Sequence, residues 1–332
     1  IFEIISSLQN SPNIAFAEPN MLGYVAEMIN DPYYLGTSPA EYPHQWSYKN
    51  TGQNPPSGTV DADINADEAW SLETGANDVL IAVLDTGIPL DVDTGELNHP
   101  DLDDPNRYIL GPDFIDSQPD GDGVRDCSGH GTHVTGTIAA ETNNGIGIAG
   151  ICQNCKILTI QVFDSNNMTD PISLINGVYA AVDYGATIIN FSGGFTTHVS
   201  AVESAVKYAN SQGITQIYSA GNDSYRGVRC PARHAHVSYN EEYENYPNGY
   251  PTIISVAATD HHDEQTSYSS YSSEYIHVTL AAPGGYGGFN DDTKDIFSTS
   301  PGYSCDTEFP NEDIVQSYAY KYGTSMAAPH VS

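Results

Sequence analysis

Val79-Leu80-Ile81-Ala82-Val83-Leu84-Asp85-Thr86-Gly87 decides the fold. Side chains of a strand alternate between two faces, so an unbroken apolar run needs cover on both. Similar runs recur at Ile157 to Phe163, Thr187 to Phe191, Ile214 to Ser219 and Thr252 to Ala258. Helical patterns lie around and between them. Asn65 to Glu73 has Asn65 as N-cap, acids in its first turn and Gly75 past its end. Pro171 to Tyr184 opens with Asp170 as cap and Pro171 at the first position. His198 to Gln212 stops at Gly213. Strand–helix alternation of this kind predicts an α/β three-layer sandwich, with a central, mostly parallel sheet and helices on both faces. Upstream, the stretch from Asn30 to Asp61 is rich in Pro, Gly, Asn and Ser and reads as extended loop.

Charge narrows the function. The 332 residues include 43 acids and only 10 Lys and Arg, a formal net charge of −33. A duplex nucleic-acid binder needs basic groups against phosphate, so nucleic acid is excluded as a partner. A polybasic membrane face is equally absent, and no apolar run reaches the ~18 residues of a membrane helix. Disorder is the other reading of extreme charge. Charged residues are only 16% of the chain, however, and hydrophobic ones 39%, which is enough for a sizeable core. Most of the acid must therefore lie on the surface, where salt screens it.

Three segments at element junctions carry reactive groups: Asp85-Thr86-Gly87-Ile88, Gly129-His130-Gly131-Thr132-His133-Val134, and Gly323-Thr324-Ser325-Met326-Ala327-Ala328-Pro329-His330. They supply an acid, an imidazole and a hydroxyl. A serine hydroxyl is a weak nucleophile until a base takes its proton, and a carboxylate must hold that base in one tautomer. A fourth segment, Ser219-Ala220-Gly221-Asn222, follows an apolar strand, and the Asn222 amide can donate to a developing oxyanion. Strand C-termini of a parallel sheet face the ligand crevice, so Asp85 and Asn222 should look into one space.

These four blocks, in this order, resemble the subtilisin-like serine peptidases, the subtilases, over roughly Asp31 to Ser332. A lone Asp-Thr-Gly also occurs in aspartic peptidases, but their second copy is missing. The resemblance implies a subtilisin-like fold and a secreted serine endopeptidase of broad specificity that works through an acyl-enzyme. Asp85 would orient His130, His130 would act as general base and then acid, and Ser325 would be the nucleophile. Asn222 and the Ser325 N–H would form the oxyanion hole. Ser192, Gly193 and Gly194 match the segment that pairs with an extended substrate backbone. The family usually has a bulkier residue near Gly193 and a glycine at Phe195. Tyr246 and Tyr250 resemble the outer wall of the first specificity pocket. Asp223 is expected to rim that pocket and admit Lys or Arg. The alternative, from another class, is an inactive peptide-binding pseudoprotease.

The same resemblance implies a zymogen. Residues 1–27 would be the C-terminal part of an inhibitory propeptide, an intramolecular partner, and residues 28–332 a peptidase domain truncated at its C-terminus. Protein or peptide substrates would be the other partners, and the enzyme a monomer. Structural Ca²⁺ is implied on Asp31, Asp101 and Asn144, with carbonyls of Thr142, Ile146 and Ile148 completing a hard oxygen shell. The acidic loop from Asp113 to Asp126 reads either as a second ion site or as a solvated surface. His133 and His330 read as packing residues, and His261-His262 as an exposed turn. Of five cysteines, Cys152 and Cys155 suit a local disulfide or two plain thiols. Cys127 has Cys230 or Cys305 as possible partners.

Overall fold

A computed structural model describes residues 29–37, 40, 42–91, 93–115, 123–224, 227–235, 250–271, 278–288, 292–302, 305 and 317–332. The propeptide-like residues 1–27 lie outside this set. The elements begin with α1 (Pro32–Leu35), α2 (Ala66–Trp70), β1 (Leu80–Asp85) and β2 (Tyr108–Asp113). Next come α3 (His130–Ala139), β3 (Lys156–Gln161), α4 (Pro171–Asp183), β4 (Ile188–Phe191) and α5 (Ser200–Ser211). Then follow β5 (Thr215–Ser219), β6 (Ile253–Thr259), β7 (Leu280–Pro283), β8 (Ile296–Thr299), β9 (Tyr318–Lys321) and α6 (Thr324–Ala327).

Seven strands form one sheet in the order β2-β3-β1-β4-β5-β6-β7, and every pairing is parallel. The apolar run around Ile81 is its centre. Ala82 and Leu84 enter a core cluster with Leu174, Val178 and Ala181 of α4 and Val202, Val206 and Ala209 of α5. Ile81 and Val83 enter another, with Val134 and Ile138 of α3 and Met326 of α6. The period of two along one strand thus separates the helical layers. The expected three-layer α/β sandwich is what forms.

Asp170 caps α4 as expected, accepting hydrogen bonds from the N–H groups of Ile172 (2.7 Å) and Ser173 (3.1 Å). Asn65 differs. It precedes α2 with φ 52° and makes no side-chain cap. Instead Asp63 Oδ1 accepts from the Asn65 N–H at 2.6 Å, so the preceding acid does the polar work at this turn. His261 also departs from expectation: it is buried beneath Trp46 and Tyr286, while His262 stays out and meets Thr59 Oγ1.

The antiparallel pair β8–β9 lies on α3. Ser298 Oγ donates to the His133 carbonyl and Thr299 Oγ1 to the Thr132 carbonyl, each at 2.8 Å. The approach is close enough that a Cβ at Gly136 would run into Thr299 Oγ1. His133 Nε2 reaches the carbonyls of Ile296 (3.0 Å) and Ala319 (3.1 Å), and His330 bonds Met326 O and Ser47 Oγ. Both are the packing histidines that the sequence suggested.

Candidate active site

Three parallel strands end on the same edge of the sheet. β1 ends at Asp85, β4 leads into Ser192 and β5 leads through Ser219 to Asn222. Ligand crevices open at such C-terminal edges, where the strand order changes direction. β1 sits at that point, with β3 on one side and β4 on the other.

Asp85 is fully buried and His130 is the first residue of α3. Their side chains meet, with His130 Nδ1 2.7 Å from Asp85 Oδ1. Asp85 Oδ2 is buried without a hydrogen-bond partner among the described residues, which leaves the imidazole as the carboxylate's main side-chain contact. Burial alone would pull the His130 pKa down. The charge of Asp85 and its hydrogen bond outweigh burial, so the value is raised above the ordinary 6.5. The imidazolium is stabilised by the acid that orients it.

A second buried acid, Asp126, sets the position of the ring. Its Oδ1 accepts from Thr86 Oγ1 and from the N–H groups of Ser128 and Gly129; its Oδ2 accepts from Thr132 N and Oγ1. Thr86 Oγ1 in turn accepts from Gly131 N at 2.8 Å. The first turn of α3 is thereby tied to the loop after β1, as an N-terminal acid ties free helix N–H groups. Gly131 is required at the crossing, because a Cβ there would strike the Gly87 carbonyl. The sequence shows Asp126 only as part of an acidic loop. The available signal was its place four residues before His130, at a helix start.

Ser325 lies in the first turn of α6, where N–H groups have no intrahelical acceptor. Its Oγ donates to the Ser192 carbonyl at 2.9 Å, and Ser192 Oγ donates to the Ser325 carbonyl at 2.9 Å. Among the described residues no hydrogen bond joins Ser325 Oγ to His130. Asn222 Oδ1 accepts from both N and Oγ1 of Thr324, each at 2.9 Å. Those two donors fix the amide orientation and turn Nδ2 away as a donor, past the open face of Gly323.

The Ser192–Gly194 segment is held from behind. Phe195 and Cys230 exchange backbone hydrogen bonds of 2.8 and 3.0 Å, and Arg229 donates to the Gly194 carbonyl at 3.3 Å. Gly193 packs where a Cβ would run into the Phe163 ring. Asp223 is not the open acid expected for a specificity pocket. Arg229 grips it through two of its guanidinium nitrogens, Nε to Oδ2 at 2.5 Å and Nη2 to Oδ1 at 2.9 Å. A carboxylate already paired in this way has little charge to offer a basic substrate. Tyr246 lies outside the described residues, and Tyr250 hydrogen-bonds Glu203.

The residues named for a cation also converge. Asp31 and Asp101 are both fully buried, and neither has a Lys or Arg partner among the described residues. Burial pushes their carboxyl pKa values up to about 6 and about 7. Asp31 Oδ1 has no hydrogen-bond partner among the described residues. The carbonyls of Thr142, Ile146 and Ile148 accept no hydrogen bond among the described residues. Two buried acids, an orphaned oxygen and free carbonyls fit a hard divalent cation. Asn144 is the exception. Its Nδ2 donates to Asp101 Oδ1 at 2.8 Å and its Oδ1 accepts from Ile146 N, so its oxygen is turned away from the acids.

A sequence model of the subtilase family matches residues 76–332. The chain belongs to the subtilase family of serine endopeptidases. It is 34% identical over 329 residues to the thermophilic serine proteinase of Bacillus sp. strain AK1, covering 99% of this chain and 64% of that protein. It is 34% identical over 269 residues to thermitase of Thermoactinomyces vulgaris, covering 81% of this chain and 77% of thermitase. The chain thus spans just under two thirds of the first of these relatives. Among solved structures, a protease of Pseudoalteromonas arctica PAMC 21717 superposes with TM-score 0.68 at 27% identity, covering 92% of this chain and 85% of that one. A cold-adapted subtilisin-like serine proteinase gives 0.55 at 26% identity, covering 77% and 72%.

Replacing Asp126 by Ala leaves several helix-start N–H groups without an acceptor in a dry site. In a Ser325→Ala background, urea unfolding should show a loss of about 3 kcal/mol. A loss near zero would remove Asp126 from this role.

Proposed function

We propose that this subtilase hydrolyses peptide bonds through Asp85, His130 and Ser325. The observation that carries the reading is the 2.7 Å contact between His130 Nδ1 and buried Asp85. With Nδ1 engaged, the imidazole keeps Nε2 for proton transfer. Ser325 Oγ attacks the substrate carbonyl while its proton passes to Nε2. The carbonyl oxygen becomes an oxyanion, held by Asn222 Nδ2 and the Ser325 N–H. His130 then returns the proton to the leaving amine as the C–N bond breaks, and water releases the acyl group by the same route.

Ser192 connects substrate binding to this step. Its carbonyl accepts the Ser325 hydroxyl in the free protein. An extended substrate pairing with Ser192–Gly194 supplies a competing N–H to that carbonyl, and the serine hydroxyl is released towards His130. Specificity is broad, set by shape and not by the Arg229-neutralised Asp223. Cys127–Cys305 and Cys152–Cys155 are disulfides, which supports folding in an oxidising, extracellular setting. Residues 1–27 act as the tail of an inhibitory segment on the peptidase domain that follows. Ca²⁺, bound by Asp31 and Asp101 with the carbonyls of Thr142, Ile146 and Ile148, supplies the charge that neutralises those acids; Asn144 joins by turning its amide over.

The Ser325–Ser192 hydrogen bond also favours a second reading, a subtilase that binds peptides without turnover. Labelling separates the two. A fluorophosphonate should modify the full-length protein in Ca²⁺ buffer and spare Ser325→Ala; no Ser325-dependent labelling and no casein cleavage would leave the binding protein.

Two further outcomes follow from the geometry. The base must be neutral, and its pKa is raised, so kcat/KM should climb with pH through a midpoint above 6.5. Asp85→Asn should cut kcat on the order of 10⁴-fold through loss of the oriented tautomer; a pH–rate midpoint below 6.5 would contradict the assignment. For the cation, chelation by EDTA should lower the Tm of Ser325→Ala, and Asp101→Asn should abolish the difference. An EDTA-insensitive Tm would exclude the calcium role.

A further inference from the structure

Away from the cleft edge, two imidazoles and a carboxylate face one another behind the substrate segment. His198 precedes α5, Glu203 is in its first turn, and His234 lies in a 3-10 turn after Pro231. One ligand atom from each lies within 4.8 Å of the other two. His198 Nε2 is 2.8 Å from Glu203 Oε2, and the two rings stand 5.7 Å apart at 76°. Glu203 is 4% exposed and His234 5%, while the His198 side chain is 42% exposed and opens the group to solvent.

The neighbours of this group are polar on one side and soft on the other. Lys207 Nζ lies 2.6 Å from Glu203 Oε1, and Tyr250 OH donates to the same oxygen at 3.3 Å. Oε2 is therefore the oxygen turned to the histidines. Cys230 Sγ, buried, is 3.5 Å from His234 Nε2.

We propose that His198, Glu203 and His234 form a binding site for a zinc-type divalent transition-metal ion. Two imidazole nitrogens and one carboxylate oxygen are a three-ligand set for Zn²⁺, with a fourth position left for water. The nitrogen content separates this site from the all-oxygen group around Asp31 and Asp101, which suits a harder cation. At metal distances of about 2.0–2.1 Å, tetrahedral neighbours stand roughly 3.3 Å apart, so His198 and Glu203 need to separate by only about half an ångström. The ion would exchange the contact between His198 and Glu203 for two coordinate bonds, while Lys207, itself 44% exposed, keeps its own carboxylate oxygen.

The site ties two segments together. His198 follows Phe195 by three residues and His234 follows Cys230 by four, and Phe195 and Cys230 are the backbone pair that closes the wall behind Gly194. A bound ion would pin both segments a few residues from the substrate edge. The simpler structure is a polar cluster in which Lys207 pairs with Glu203 and His198 hydrogen-bonds it, and it needs no metal.

Metal titration decides between them, independently of proteolysis. The Ser325→Ala chain, stripped with EDTA and returned to excess Ca²⁺, would be titrated with Zn²⁺ against a chromogenic chelator. Expected is one equivalent bound with submicromolar affinity and a raised Tm. His198→Gln, at the solvent side where folding is undisturbed, and His234→Phe should each weaken that binding by roughly 100-fold or more. Absence of tight binding would overturn the site, as would a tight equivalent that both variants retain.

Discussion

Among the described residues five hydrogen bonds converge on the buried carboxylate of Asp126, and the position of the His130 imidazole depends on them. The loop after β1 and the first turn of α3 come from distant parts of the chain and carry partners that must meet within a hydrogen-bond length. Apolar packing brings α3 to the sheet but does not fix its rotation to that precision. Directional bonds do. Through Thr86 and Gly131 the same acid couples the strand that bears Asp85 to the helix that bears His130. On the opposite side β8 and β9 clamp α3 through Ser298, Thr299 and His133, so the helix is fixed from both flanks.

The serine side is built differently. Ser325 and Asn222 are held by mutual contacts of short loops rather than by one central acid. Thr324 takes the Asn222 carbonyl oxygen with two donors, and Ser192 and Ser325 exchange hydroxyl-to-carbonyl bonds. The amide orientation at Asn222 is a consequence of backbone satisfaction at the start of α6 and is present before any substrate arrives. In the proposed mechanism, preorganisation of this kind reduces what must be reorganised when the oxyanion forms.

The sheet was legible because its strands are continuous apolar runs, and runs such as Val79 to Leu84 have few other solutions. The Asp170 cap was legible because a Pro follows it. Asn65 does not cap because Asp63 takes its N–H and its backbone sits in the left-handed region, outside the extended conformation an N-cap needs. Asp85, His130, Asn222 and Ser325 were legible by their motifs. What the residues around them do was harder to see. The role of Asp126 depends on a helix N-terminus folding over it, and Asp223 looked available because Arg229 reaches it across a loop. His261 looked exposed because the aromatic cover over it, Trp46 and Tyr286, is remote in sequence. Pairings that need tertiary structure leave no local trace, and most corrections here are of that kind.

The Cys127–Cys305 bond closes a span of 178 residues that begins just before His130 and ends ahead of Ser325. In the chain-entropy picture a loop of that length limits the unfolded chain by about 5 kcal/mol. The topology has another effect, particular to the proposed activity, whose substrates would be chains like the protein itself. A single cut at any point between His130 and Cys305 leaves the piece with Asp85 and His130 covalently joined to the piece with Ser325. Self-digestion in that span would nick the molecule without dispersing its site.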